Sequence, residues 1–204
     1  MMNIESFNFV LSRIVERLSV SKSTALVLII FLSSLVFISV LAYPPTQLGR
    51  KVLVVPFCSS SKGVCGDHTM KMILDYYGCN MSIDEIMTGK VGKTFENYMA
   101  EFGLETVYFN PWNILHTSAV SPLPEEGVTM TKNFLVEEIN LNRPVYVAWA
   151  NPLHNVLAVG YEDYGNIIVY HDGNGDPLGA YNKQSLYDFV VSRMLIDCRS
   201  VYRS

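Results

Sequence analysis

Between Thr24 and Tyr43 the chain reads TALVLIIFLSSLVFISVLAY, about twenty residues without a charge. That is the length a helix needs to cross the hydrocarbon of a bilayer, and core helices of globular proteins rarely stay uncharged so long. The run therefore predicts one transmembrane helix and divides the chain into a cytoplasmic segment at 1–23, a membrane helix or signal anchor at 24–43, a linker at 44–51 and a folded domain at 52–204. Ser33, Ser34 and Ser39 are compatible with a span, because hydroxyls in a helix bond back to backbone carbonyls. Pro44 and Pro45 end it. Arg13, Arg17 and Lys22 before the run outweigh Arg50 and Lys51 after it, a slight bias that leaves the N-terminus inside and the folded domain outside the cytoplasm. The inverted topology is the alternative. Val40-Leu41-Ala42 also fits a small-residue cleavage pattern, so the run reads either as a retained single-pass anchor or as a secretory signal.

A chain of 204 residues, half of them hydrophobic, has material for one core beside this segment and not for two enzyme domains. A formal charge of -4, with no basic cluster, argues against nucleic acid as a partner. Cys58, Cys65, Cys79 and Cys198 form no CxxC pair, and His116 and His171 have no metal-ligand spacing, so neither structural zinc nor another metal is expected. In an oxidising compartment Cys198 can pair with Cys58 or Cys79; buried free thiols are the other reading.

The periodicities predict an α+β domain. Val52 to Val55 is a short β-type run, followed by a Ser/Gly-rich loop and then CGDHTMKMILDYYG, where Met70, Ile73, Leu74 and Tyr77 form an apolar helical stripe ending at Gly78. Ser82 and Glu85 make a capping-box pattern, and Thr94 is placed to cap a second short helix. Residues 105–109 suggest a strand, 116–129 an irregular loop, and Thr131 to Leu141 an amphipathic helix. VYVAWA (145–150), VLAVGY (156–161) and NIIVYH (166–171) read as strands, the last two joined by a hairpin at EDYG, and Asn182 reads as the cap of a final helix with Leu186, Phe189 and Val190.

Cys65 falls at the first position of its helix. The helix N-terminus offers free backbone N–H groups and a partial positive field, both of which favour thiolate over thiol. A thiolate needs a base, and His154 stands where an alternating apolar run begins. Asp172, at the end of the next strand, is positioned to accept a hydrogen bond from the imidazole and fix its tautomer. Asp176 is a weaker rival for that role.

With these pieces in order, residues 52–194 resemble the bacteriocin-processing, or double-glycine, type of papain-like cysteine peptidase. The resemblance rests on VPF (55–57), the CG at 65–66 opening a helix that ends in YYG, RPVYVAW leading into HNVLAVGYED, then IIVYHD and SLYDFV. It implies a papain-like fold, with an N-terminal helical part carrying the nucleophile and a C-terminal antiparallel sheet. The resemblance further implies hydrolysis of peptide bonds through a Cys65–His154–Asp172 triad, a peptide or protein substrate, and no cofactor.

Two departures stand out. Asp67 and His68 follow the CG where the family commonly has proline and alanine. If Asp67 faces the sulfur its charge opposes the thiolate; if it faces solvent it is an ordinary first-turn residue. His68 is expected at the surface, with a second base beside Cys65 as the other reading. The family also supplies a glutamine before the cysteine as side-chain oxyanion donor, and none lies between Val52 and Cys65. The oxyanion candidates here are the Cys65 backbone N–H and a hydroxyl from the Cys58–Ser61 stretch, chiefly Ser59 or Ser60. An inactive relative that binds peptides, and an acyltransferase using the same thioester, are the alternatives to a peptidase.

Overall fold

The computed structural model describes residues 49–115, 123–174 and 179–203. The apolar run 24–43, His116 and Asp176 lie outside the described residues. Among those described, no helix is long and apolar enough to cross a membrane.

The chain is built around one antiparallel sheet with strand order β2-β7-β3-β4-β5-β6. In sequence these are β2 (Glu105–Phe109), β3 (Val145–Ala150), β4 (Leu153–Glu162), β5 (Ile167–Asp172), β6 (Gly179–Ser185) and β7 (Leu195–Tyr202). A two-residue strand, β1 (Lys51–Val52), pairs with the far end of β4. The helices are α1 (Cys65–Tyr76), α2 (Ile83–Gly89), α3 (Phe95–Ala100), α4 (Pro111–Ile114) and α5 (Glu125–Asn140). This is the α+β architecture expected from the periodicities.

β4 is apolar almost throughout because it is covered on both faces, and Val156 to Gly160 are all buried. Helix α1 packs on the face that carries Tyr146, whose hydroxyl approaches Gly66. Helix α5 covers the other face, where buried Glu138 accepts a 2.7 Å hydrogen bond from Ser200 and pairs with Arg143. Buried Met72, Ile73 and Leu74 of α1 sit in the same core as Val145, Val147, Trp149, Leu157 and Phe189. The Ser82–Glu85 capping box and the Thr94 cap both form.

The C-terminal region departs from expectation. Asn182 caps no helix; it lies in β6 opposite Tyr170 of β5. The helical part is confined to a turn from Leu186, with π-type bonding at Asp188–Ser192, and Ser185 caps it by accepting the Asp188 N–H. The chain then returns as β7, which inserts between β3 and the edge strand β2. β7 breaks the usual apolar alternation because Asp197 and Arg199 occupy buried and half-buried positions; they pair with each other, and Arg199 also pairs with Glu96. Three smaller differences accompany this. Helix α5 begins at Glu125, six residues before the expected Thr131. Helix α4 was not expected, and it places the Trp112 indole N–H 2.6 Å from the Leu195 carbonyl. The 52–55 run is strand only to Val52, although Leu53 N–H still donates to Val159 O.

The bulge in β4 near Gly160 lets β1 lie directly over its backbone. A Cβ at 160 would stand 2.6 Å from the Lys51 carbonyl oxygen and 2.8 Å from Val52 Cα. Both are backbone atoms, so no side-chain rotation relieves the clash. Gly160→Ala is therefore expected to cost about 1–3 kcal/mol, the usual range for overpacking. The readout is a lower urea midpoint at unchanged slope; an unchanged midpoint would show that β1 is not held against β4.

Candidate active site

Helix α1 begins at Cys65 because the loop before it is pinned from several sides. Asp67 reaches back with one carboxylate oxygen to accept the Val64 N–H at 2.9 Å, closing the first turn. Its other oxygen is ion-paired with Lys90, just after α2. Asp67 is only 2% exposed, so neither sequence-level reading of it holds: it faces neither solvent nor the sulfur as a lone charge. Its pairing with Lys90 removes the net negative charge that would have opposed a thiolate.

His68 is likewise not at the surface. It is fully buried, and its Nε2–H donates to the Lys62 carbonyl at 2.8 Å, tying the loop down onto the helix. His171, also buried, holds the other end of the loop: Nε2–H donates to Val55 O at 3.1 Å while Nδ1 accepts the Tyr181 N–H at 3.0 Å. These two partners require a neutral ring, and burial accordingly lowers its pKa. Gly173 completes the support, since a Cβ there would lie 2.5 Å from Cys58 O and 2.7 Å from His68 Cβ. The loop before the cysteine and the loop after Asp172 are thus in close backbone contact.

The neighbouring antiparallel strands β4 and β5 bring His154 and Asp172 together. His154 Nε2–H faces both Asp172 carboxylate oxygens, at 2.9 and 2.8 Å, and Asp172 also accepts the Asn174 N–H at 3.1 Å. The side chains are 12% and 4% exposed, so the pair is largely shielded from water. With Nε2 committed to Asp172, Nδ1 is left for the Cys65 thiol, against which the imidazole lies. Trp149 flanks the histidine, with ring centroids 6.0 Å apart.

Electrostatically, the Asp172 hydrogen bond, followed by that to Cys65, raises the His154 pKa to about 9 against the opposing effect of burial. Burial pushes the Cys65 thiol up, but hydrogen bonds to His154 and Asn155 outweigh it and the net shift is down. The shifts are opposite in direction and each is caused in part by the other side chain, so the two groups titrate as a coupled pair. Because the histidine is raised, its contribution to stability is complete below the ordinary value near ~6.5 and is lost as pH rises through about 9.

Asn155 was missed by the sequence reading. Its Nδ2 donates to Cys65 Sγ at 3.3 Å, and its backbone carbonyl accepts from Thr69 Oγ1 of α1 at 3.4 Å. The available signal was position: in an extended strand the residue after His154 points to the opposite face, and that face is the one α1 covers. Of the serines considered as oxyanion donors, Ser59 is exposed and Ser60 uses its hydroxyl to accept the Lys62 N–H at 3.1 Å. The Cys65 N–H, at the first helical position, has no intrahelical acceptor. All four cysteines are free thiols, and burial raises Cys198 far above the reactive range. Among the described residues no cluster of His, Cys, Asp and Glu could hold a metal.

Replacing Asp172 by Asn should remove the largest contribution to the raised His154 pKa. An NMR titration of the His154 ring protons is expected to show its midpoint falling from about 9 towards ~6.5. A midpoint that stays near 9 in Asp172→Asn would mean that Asp172 does not set the charge of the imidazole.

The fold is similar to two solved structures. One is a double glycine motif protease from an AMS/PCAT transporter in complex with the leader peptide, at 15% identity and a TM-score of 0.47, covering 75% of this chain and 94% of that one. The other is the peptidase domain of Streptococcus ComA, a bifunctional ABC transporter involved in quorum sensing, at 14% identity and a TM-score of 0.44, covering 72% of this chain and 94% of that one. Among curated proteins no sequence matches this one. The Peptidase_C39 like family model matches residues 52–192, well over half of the chain, and the protein belongs to that family of cysteine peptidases.

Proposed function

We propose that this protein hydrolyses peptide bonds with Cys65 as nucleophile, His154 as its general acid and base, and Asp172 as the residue that orients and charges the imidazole. The observation that carries this reading is the continuous chain of interactions from the Asp172 carboxylate through His154 to the Cys65 thiol at the start of α1. In the first step the thiolate attacks the carbonyl carbon and the π electrons move to oxygen. Collapse of that intermediate breaks the C–N bond, and the leaving nitrogen takes the proton held on His154. The resulting thioester is hydrolysed by water, which gives one proton to His154; breaking the C–S bond then restores the thiolate–imidazolium pair and releases the acid.

The oxyanion needs donors, and the family's glutamine has no counterpart in the loop before Cys65. We assign the side-chain role to Asn155, whose Nδ2 is already 3.3 Å from Sγ, beside the Cys65 backbone N–H. An oxygen on the carbon bonded to Sγ lies within reach of the same amide. The substrate we propose is an extended peptide; the uncharged run 24–43 supports a single-pass anchor holding the domain outside the cytoplasm.

The test begins with the full chain and iodoacetamide. Cys65 should alkylate rapidly well below the ordinary thiol range near ~8.5, and His154→Ala should move that profile up towards it. Slow labelling that rises only near ~8.5 and ignores the histidine would leave a peptide-binding module in place of an enzyme. On any peptide cleaved by the wild type in a proteome-derived library, Asn155→Ala should lower kcat by roughly 10²–10³ with KM little changed. An unchanged kcat would remove Asn155 from the oxyanion site.

A further inference from the structure

Beside the His154–Asp172 pair lies a cavity of about 480 Å³. Trp149, Pro152, Leu153, His154, Asp172 and Arg193 line it. The Arg193 guanidinium lies over the Trp149 ring, 5.3 Å from the centroid. It makes no ion pair with any described residue, in contrast to Arg50, Arg143 and Arg199, each of which has a carboxylate partner.

Its backbone is held on both sides. The Arg193 N–H donates to Asp188 O across the π-type turn, and its carbonyl accepts the Asn151 N–H at 3.1 Å. The next residue, Met194, adopts φ of 52°, a left-handed conformation unfavourable for a non-glycine side chain. π-type turns and strained residues of this kind concentrate at functional sites. A guanidinium held over an indole by a cation–π contact is also oriented in advance, because its planar fork loses little freedom when it takes a ligand.

The chemistry fixes which part of a peptide enters here. The leaving nitrogen must receive its proton from His154, and His154 also lines this cavity. The chain that follows the broken bond therefore passes the exposed Leu153 towards Arg193. Leu153, 82% exposed, supplies apolar surface on that path. Among the described residues the one carboxylate lining the cavity, Asp172, is committed to His154 and charge-balanced by the imidazolium, so it does not occupy the guanidinium.

We propose that this cavity is the subsite for the leaving fragment and that Arg193, held over Trp149, selects fragments carrying a carboxylate within the first two residues after the cleaved bond. The placement on the leaving side rests on the peptidase reading above; the carboxylate site itself rests on Arg193, Trp149 and the cavity. The carboxylate can come from an acidic side chain or from a free C-terminus.

Both sources are tested by binding to the full chain, with no requirement for cleavage. The probes are the dipeptides Glu-Ala-amide, Gln-Ala-amide and Gln-Ala with a free carboxylate, titrated against intrinsic tryptophan fluorescence. At least one carboxylate probe should bind about tenfold more tightly than the neutral amide, as one charge-assisted hydrogen-bonded pair implies, and the preference should vanish in Arg193→Gln. If Glu-Ala-amide alone gains, the source is an acidic side chain; if the free acid alone gains, it is the peptide terminus. Arg193→Lys, which keeps charge but loses the planar fork, should retain only part of the preference. Should Arg193→Gln fail to fold, the wild-type preference must still weaken with added salt. Equal binding of all three probes, or a preference that survives in Arg193→Gln, overturns the proposal. Alkylation of Cys65 measured on the same samples keeps the two readings apart: an ordinary thiol together with an intact preference removes the peptidase and leaves the carboxylate site.

Discussion

The two-oxygen hydrogen bond between Asp172 and His154 is the constraint around which the site is arranged. It needs β4 and β5 paired in one register, because a shift of one residue would send the imidazole to the opposite face of the sheet. It also needs water kept away, and both side chains are largely shielded. Given that bond, the tautomer follows, Nδ1 is left for the sulfur, and the imidazole gains its preference for the charged form. A neutral histidine in the same place would leave Cys65 an ordinary, half-buried thiol, since burial by itself pushes it up.

The second requirement is that the thiol be delivered to the histidine, and most of the polar interactions near α1 serve that end. His171 holds Val55, His68 holds Lys62, and Asp67 holds Val64, so each part of the loop before Cys65 is tied by a different buried polar side chain. The Asp67–Lys90 pair shows how a carboxylate is accommodated two residues from the Cys65 thiol. Its charge is spent on a cation and a backbone N–H, so it reinforces the helix start without opposing the thiolate. The close contact of Gly173 with Cys58 and His68 links this loop to the strand end bearing Asp172. The two halves of the site are thereby set against each other by backbone, which side-chain motion alone cannot loosen.

How much of this was legible in the sequence depended on whether the signal was local. The Ser82 and Thr94 caps, the hairpin at 162–166 and the strand 145–150 are short-range patterns, and each forms as expected. The places of Cys65 at a helix start and of His154 and Asp172 at strand ends were legible because those contexts are local too, although the distances between the three are not. The roles of Asp67 and His68 depended on Lys90 and Lys62, which spacing does not bring to mind, and both expectations failed. β7 was hidden because its charged Asp197 and Arg199 satisfy each other and Glu96 only after α3 and β7 have met. Asn182 looked like a cap because asparagine favours that position, but pairing with β5 prevailed. Asn155 and Arg193 carry no motif at all; they become visible only when the sheet and the turn at 188–192 are in place.

The central claim is that Cys65 and His154 share an ion pair, and the thiolate's ultraviolet absorbance reads it directly. The measurement is a pH titration of the full chain, subtracting the same titration of Cys65→Ser so that the other three cysteines cancel. The account predicts thiolate absorbance from Cys65 well below the ordinary range near ~8.5, with a further change as His154 loses its proton near pH 9. A difference curve with a single rise near ~8.5 would contradict it, because Cys65 would then be an ordinary thiol beside an uninvolved histidine.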